Sequence, residues 1–417
     1  MEGELEKKDL DFIGVCLLVA VVSLVIGVHY FYQAFPEASI DFRLTRDQAE
    51  TQAAAFLAKR GFDLEEYRHS AVFRYDDKSK TFLERELGLQ GATEKIGQPV
   101  QLWRWSNRWV RDLQKQEYQV DITTSGQLVG FSHIIAEEDP GARLDEINAR
   151  ANAERFLTDD LGRDLTILEY VEAETNERPN RVDHTFTWKL RDFAVSEGTY
   201  RVYVRIQGDQ VGGFGEYLKV PEAWQREFTE LQSRNQATGM VASLFLLLTM
   251  LAMLAVFFGR VRGQDIRWKT ALIFGGIAAA LTLLAELNNL PLAEFGFDTT
   301  DTYGSFLTRQ LLNAGLVAIG QGLFIFFLTA AAEPLYRQYY GDQIQLGAQF
   351  TPTGMRTKRF LLGSVLGLAM TAFFFAYQTL FYIIAEKFGA WSPAQIPYSE
   401  MVNTYFPWIM VLLIGFM

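Results

Sequence analysis

Glu333 and Arg337 lie four residues apart in "AAAEPLYRQYYG", where a long apolar run ends. One helical turn brings such a pair together. At a membrane boundary it is either half of a catalytic site or the ion pair that closes a helix. Further polar side chains interrupt the apolar runs: Glu286, Asn288 and Asn289 in one, Asn313 and Gln321 in the next, Gln378 and Glu386 in a later one. Hydrocarbon tolerates such groups only when they are partnered or functional. Asn313 and Gln321, eight residues apart, share nearly one helix face. Interhelical hydrogen bonds explain these amides as well as a substrate path does.

Metal chemistry is tested by the histidines. There are four, His29, His69, His133 and His184, and none lies beyond residue 184. A catalytic zinc wants about three protein ligands, with imidazole prominent among them, so the apolar half cannot build a histidine-based centre. His184 sits in "RPNRVDHTFTW" beside Asp183 and Arg181, a polar cluster expected at a turn or on the surface. The chain has no Walker loop, dinucleotide fingerprint or Gly-x-Ser-x-Gly elbow, and "VGGFGEY" falls in an expected hairpin. No catalytic, cofactor-binding or metal-binding residue is therefore assigned. Cys16, the single cysteine, precludes an intrachain disulfide and is expected as a small buried hydrophobe; Val15 before it disfavours a lipoprotein acceptor.

The elements that would position these residues divide the chain. It has 417 residues, 49% of them hydrophobic, and a net charge of -11. Residues 239–417 hold ten Lys and Arg against nine Asp and Glu, so the acidity belongs to the first 238. No basic face for nucleic acid is expected. After a cytoplasmic N-terminus (1–11), the uncharged run 12–33 spans about 33 Å as a helix, enough for a bilayer. Its length and acidic lead-in favour an uncleaved anchor over a signal peptide. Further spans are expected at about 240–259, 270–290, 311–332 and 360–385, with an incomplete one at 405–417. Arg260, Arg262, Arg267 and Lys269 occupy one loop, and Arg337, Arg356, Lys358 and Arg359 another. The loops between are acidic or nearly neutral, which places the basic loops in the cytoplasm and residues 37–235 outside. Pro334 is expected to end its span, with Glu333 and Arg337 as a cap.

The outer region repeats itself. "AETQAAAFLAKRGFDL" and "INARANAERFLTDDLGRDL" each read as a helix ending near a glycine, Gly61 or Gly162. Each is followed by a strand, a turn glycine (Gly126 or Gly208) and a second strand. Two α+β modules, 37–140 and 141–235, are expected, the first carrying an insertion around "ERELGLQGATEKIGQPVQ". Trp103, Trp105, Trp109 and Trp188 are expected as core plugs. The helix-then-hairpin order resembles the PepSY-type modules of bacterial envelope proteins.

The spacing of Ala332, Glu333 and Arg337 is similar to the Glu-Glu-x-x-x-Arg helix of the CPBP family of intramembrane metalloproteases, the CAAX-processing and bacteriocin-immunity proteins. Ala332 replaces the first glutamate, Pro334 interrupts the motif, and no histidine follows, so the stretch is not that catalytic helix. The whole chain instead resembles the upstream portion of a bacterial subgroup of that family, on "RPNRVDHTFTW", "KVPEAW" and "AAEPLYR". The resemblance implies a multi-pass inner-membrane protein with an inserted extracytoplasmic region. It also implies a protein or peptide substrate, and catalytic helices beyond Met417 holding a divalent metal such as zinc; "FPWIMVLLIGFM" is expected to continue as a full span. A non-enzymatic envelope sensor and a transport-complex permease with a ligand-binding outer domain remain the alternatives. For the topology, a cysteine placed in the 261–268 loop of intact cells is expected to resist an impermeant thiol reagent. Labelling there would reverse the orientation.

Overall fold

A computed structural model of the chain describes residues 5–35, 40–341, 351–388 and 401–416. The region between the first two long apolar helices opens with helix α2 (Arg46–Lys59), which follows the long α1 (Lys7–Ala34). Thr45 caps α2 in a box with Gln48, and Ala49, Ala53 and Leu57 form its buried stripe. Helix α4 (Glu146–Arg155) repeats the device: Asp145 accepts from Asn148 N at 2.8 Å, and Ala149, Ala153 and Leu157 are buried. The chain leaves these helices through Gly61 (φ 83°) and Gly162 (φ 63°), a left-handed conformation that glycine adopts without strain.

After each helix comes a four-stranded antiparallel meander. The first holds β1 (Arg68–Tyr75), β2 (Trp103–Val110), β3 (Glu117–Thr123) and β4 (Leu128–Ile134). The second holds β5 (Leu168–Glu177), β6 (Val182–Leu190), β7 (Thr199–Gln207) and β8 (Gln210–Lys219). Equivalent contacts recur: Phe56 meets Phe131 at 5.2 Å between ring centres, and Phe156 meets Phe214 at 5.8 Å. The expected insertion is α3 (Asp77–Lys95) with the loop behind it, lying between β1 and β2. In the second half a tight turn joins β5 to β6, closed by Arg178 N donating to Arg181 O.

The modules do not fold as separate bodies. Their last strands pair antiparallel, Gly130 with Gly215 and Ser132 with Gly213, giving one eight-stranded sheet in the order β1-β2-β3-β4-β8-β7-β6-β5. A single core runs across both halves on the helical side of this sheet. Trp103, Trp105, Trp109 and Trp188 are all buried in it. His184 departs from the turn or surface position expected for it: it lies inside β6 and is buried. Its Nε2 donates to Leu144 O at 2.9 Å, and its Nδ1 accepts from Thr175 Oγ1 at 3.0 Å. Strand alternation aims it inward, and those two bonds satisfy the ring.

Among the described residues five helices are long and apolar enough to cross a membrane: α1, α5 (Glu222–Arg262), α6 (Trp268–Asn288), α8 (Tyr303–Tyr339) and α10 (Lys358–Lys387). Shorter helices are α7 (Leu290–Phe295), α9 (Pro352–Met355) and α11 (Pro407–Phe416). The protein is thus a multi-pass membrane protein by the length and composition of its helices. Helix α6 packs on α8 where two glycines face each other. A Cβ on Gly275 would lie 2.8 Å from Gly322 O, and one on Gly322 would lie 2.9 Å from Gly275 O. That approach is open only to residues without side chains. Helix α1 packs on α10, with Gly27 against the Phe375 ring and an ion pair between Asp9 and Lys358. Cys16 is buried, as expected.

His133 of β4 is 9% exposed and stacks on Tyr118, with ring centres 4.7 Å apart. Burial pushes the imidazole down to about 4, with smaller lowering effects from Arg205 and Arg60. An unfolded histidine titrates near 6.5. The folded state therefore holds the neutral ring, and its stability contribution is full above pH 6.5 and is lost as pH falls towards 4. The loss should reach roughly 2 to 3 kcal/mol. Tryptophan-monitored unfolding at pH 7 and pH 4.5 should show it, and His133→Phe should flatten that part of the profile.

Candidate functional site at the junction of sheet and helices

Besides the start of α5, two sets of contacts hold the sheet against the candidate spanning helices among the described residues. The first is at the face of β1 and β2 turned away from the core. Arg108 of β2 donates from Nη1 to Phe295 O and Phe297 O, both at 2.8 Å, while its Nε donates to Glu117 Oε2 at 3.0 Å. The guanidinium thereby satisfies two carbonyls where α7 ends, a helix end that lacks intrahelical donors. Around it Val110, Phe297 and Phe306 form a small buried cluster. Asp112 accepts from Tyr303 N at 2.8 Å, adding a carboxylate to the start of α8. The Arg68 guanidinium lies 4.0 Å from the Tyr303 ring centre.

The second contact lies at the β1 edge of the sheet. Among the described residues no strand pairs with β1 beyond it, and the segment that precedes α11 fills part of that edge. Asn403, 1% exposed, accepts from Phe73 N and donates from Nδ2 to Phe73 O at 2.9 Å. One side-chain amide thus serves both backbone groups as a neighbouring strand would. Arg46 of α2 donates to Val402 O, and burial lowers its pKa. On the membrane side Asn288 repeats the bidentate pattern: its Oδ1 accepts from Phe406 N at 2.7 Å and its Nδ2 donates to Phe406 O at 2.9 Å. Residues 402–406 therefore join the sheet edge to the end of α6.

At the other end of α6 and α8 lies the pair Glu333 and Arg337. The expected break at Pro334 does not occur: α8 continues through it to Tyr339, although proline removes one backbone donor. Glu333, 9% exposed, pairs with Arg337 at 3.2 Å and with Arg267 at 3.5 Å. Arg337 also donates to Asp265 O and Oδ1, at 2.8 and 2.9 Å, and Arg260 reaches Asp265 at 3.1 Å and Gln338 at 2.7 Å. The pair is not a helix cap but the centre of a network tying α5, the 263–267 turn and α8 together.

Among the described residues, the remaining polar side chains of the spans lie at separate positions along α6, α8 and α10. Glu286 is half-buried on α6, and Asn289 has a buried Oδ1 without a hydrogen-bond partner. Asn313 is exposed on α8, Gln321 is half-buried, and Gln378 is exposed on α10. The side chain of Glu386 lies outside the described residues. His69 bridges Glu50 and Asn107, at 3.1 Å each, and its pKa is lowered by burial. Among the described residues no three His, Cys, Asp or Glu side chains gather closely enough to hold a metal ion. Sequence reasoning singled out Asn288 but missed Arg108, Asp112 and Asn403, since contacts made over such sequence distances leave no local pattern. No family model, curated protein or solved structure matches this chain.

Asn403→Ala leaves Phe73 N and O without their partner, at a cost of about 1 to 3 kcal/mol. Hydrogen exchange at the Phe73 amide should rise at least tenfold. Asn403→Asp, which keeps the acceptor, should lie between, and unchanged exchange in both variants would remove the edge contact from consideration.

Proposed function

We propose that this chain is the anchoring and substrate-handling part of a CPBP-type intramembrane metalloprotease. Its outer sheet would consist of two PepSY-like modules outside the inner membrane, and its N-terminus would be cytoplasmic. The observation that carries the reading is the double attachment of the outer sheet, through Arg108 and Asn403, to the same ends of the membrane helices. A domain fixed in this way governs what reaches the bundle from outside. The basic loops around Arg260, Arg267 and Arg356 support the orientation. A divalent metal such as zinc, held by helices encoded beyond residue 417, would supply the Lewis acid for peptide-bond hydrolysis. The present residues would bind or admit a protein or peptide substrate and hold the scaffold.

One observation favours a second reading, a non-enzymatic envelope sensor. Helix α5 runs 41 residues from the outer core to the Arg260 network without interruption. A relay between a ligand outside and a partner inside would need such an element. The reading frame past codon 417 separates the two. A Glu-Glu-x-x-x-Arg helix followed by two histidine-bearing helices is expected there; a stop codon at that point sinks the protease reading, and a kinase or cyclase domain would establish the sensor.

A further inference from the structure

A cleft of about 430 Å³ opens where the two halves of the outer sheet meet. Its floor breaks the pattern of the strands around it. Phe214, Glu216 and Leu218 alternate towards the core along β8, so a carboxylate stands where an apolar side chain is expected. Glu216 and Tyr200 are 6% and 4% exposed, and Tyr200 donates its hydroxyl to Glu216 Oε2 at 2.9 Å. The Arg163 guanidinium pairs with the other carboxylate oxygen. Gln127, with its amide oxygen turned to the guanidinium, accepts from Arg163 Nη1 at 3.0 Å. Burial raises the pKa of both Glu216 and Tyr200.

A well-packed apolar cluster in place of this ion pair would be at least as stable. Stability alone therefore does not explain its presence beside an open cleft. The surrounding wall divides by chemistry. Ile167, Leu168, Leu190 and Val202 of the second half line one side, and the amides of Gln101 and Gln127 from the first half stand on the other. Mostly apolar walls with a few converging polar groups are the usual make-up of a ligand site. Glu216 pairs with Arg163 and Asp164 adds a further carboxylate to the lining, so the cleft disfavours an anion. Primary amides both donate and accept, as the two faces of a peptide group require.

The geometry points to this cleft as a binding site for a short apolar peptide segment. Its backbone would lie along the glutamine rim, with one branched aliphatic side chain against the Ile167, Leu190 and Val202 wall. This holds for a sensor as for a protease, so its failure would leave the family reading untouched.

The test is a ligand-observed NMR titration of the full chain in phosphatidylcholine nanodiscs, with N-acetyl-leucine N-methylamide as the probe. Saturable binding is expected, at least tenfold tighter than for the glycine analogue. Ile167→Trp, a change at the half-open rim that fills the mouth, should weaken it at least tenfold with an unaltered thermal transition. Gln101→Ala should weaken it in the same direction by removing one rim amide. The proposal is overturned if the wild-type chain shows no saturable binding, or if both variants bind as it does. Displacement of the probe by decanoate would also overturn it, by showing an amphiphile site instead.

Discussion

Backbone amides and carbonyls that leave water must find partners, and at the boundary between sheet and helices they find them in side chains. Asn403 supplies both partners for Phe73, Asn288 does the same for Phe406, and Arg108 serves two carbonyls at and just past the end of α7. Each of these side chains stands in for missing secondary structure. An edge strand left open invites pairing with another chain. Closing part of the edge of β1 from residue 403 therefore protects the sheet and fixes its position above the helices in the same act.

Much of the outer fold could be read in advance because it is local. The helix caps, the alanine stripes of α2 and α4 and the left-handed glycines lie within a few residues of one another, and they fall where the repeat places them. The inserted segment before β2 was legible from spacing alone. The union of the two modules was not. It rests on β4 and β8, where the buried pair Phe131 and Phe214 is flanked by Gly130, Ser132, Gly213 and Gly215, and a single aromatic pair between small residues does not reveal which strand is the partner. His184 was misplaced because its neighbours Asp183 and Arg181 suggest a surface, whereas the alternation of β6 turns the ring inward. Glu216 did leave a signal, a charged residue at an inward strand position, visible once the register of β8 is known.

The membrane half shows the same division. Apolar runs announced the five long helices, but not how Pro334 would be accommodated. Proline at that position removes a donor without ending α8, because the carboxylate before it and the guanidinium after it are both bound to the turn between α5 and α6. Tertiary contact overrides the local rule. Glu333 loses its role as a candidate acid and gains one as a structural anion shared by two arginines. The histidine count points the same way, since beyond residue 184, where α5, α6, α8 and α10 lie, the sequence offers no imidazole.

Helix α5 starts with Trp224 in the outer core, 5.2 Å from the Phe82 ring, and Phe257 near its other end packs on Phe327 of α8 at 5.0 Å. Because no break separates these two points, they share one helical phase. Each residue advances the helix by about 100°, so the 33 positions from Trp224 to Phe257 set the azimuth at which the lower face meets α8. Lengthening or shortening this stretch by a single residue would swing that face a quarter-turn or more away from its partner. The separation between the core under the sheet and the contact with α8 is therefore specified as an angle as much as a length.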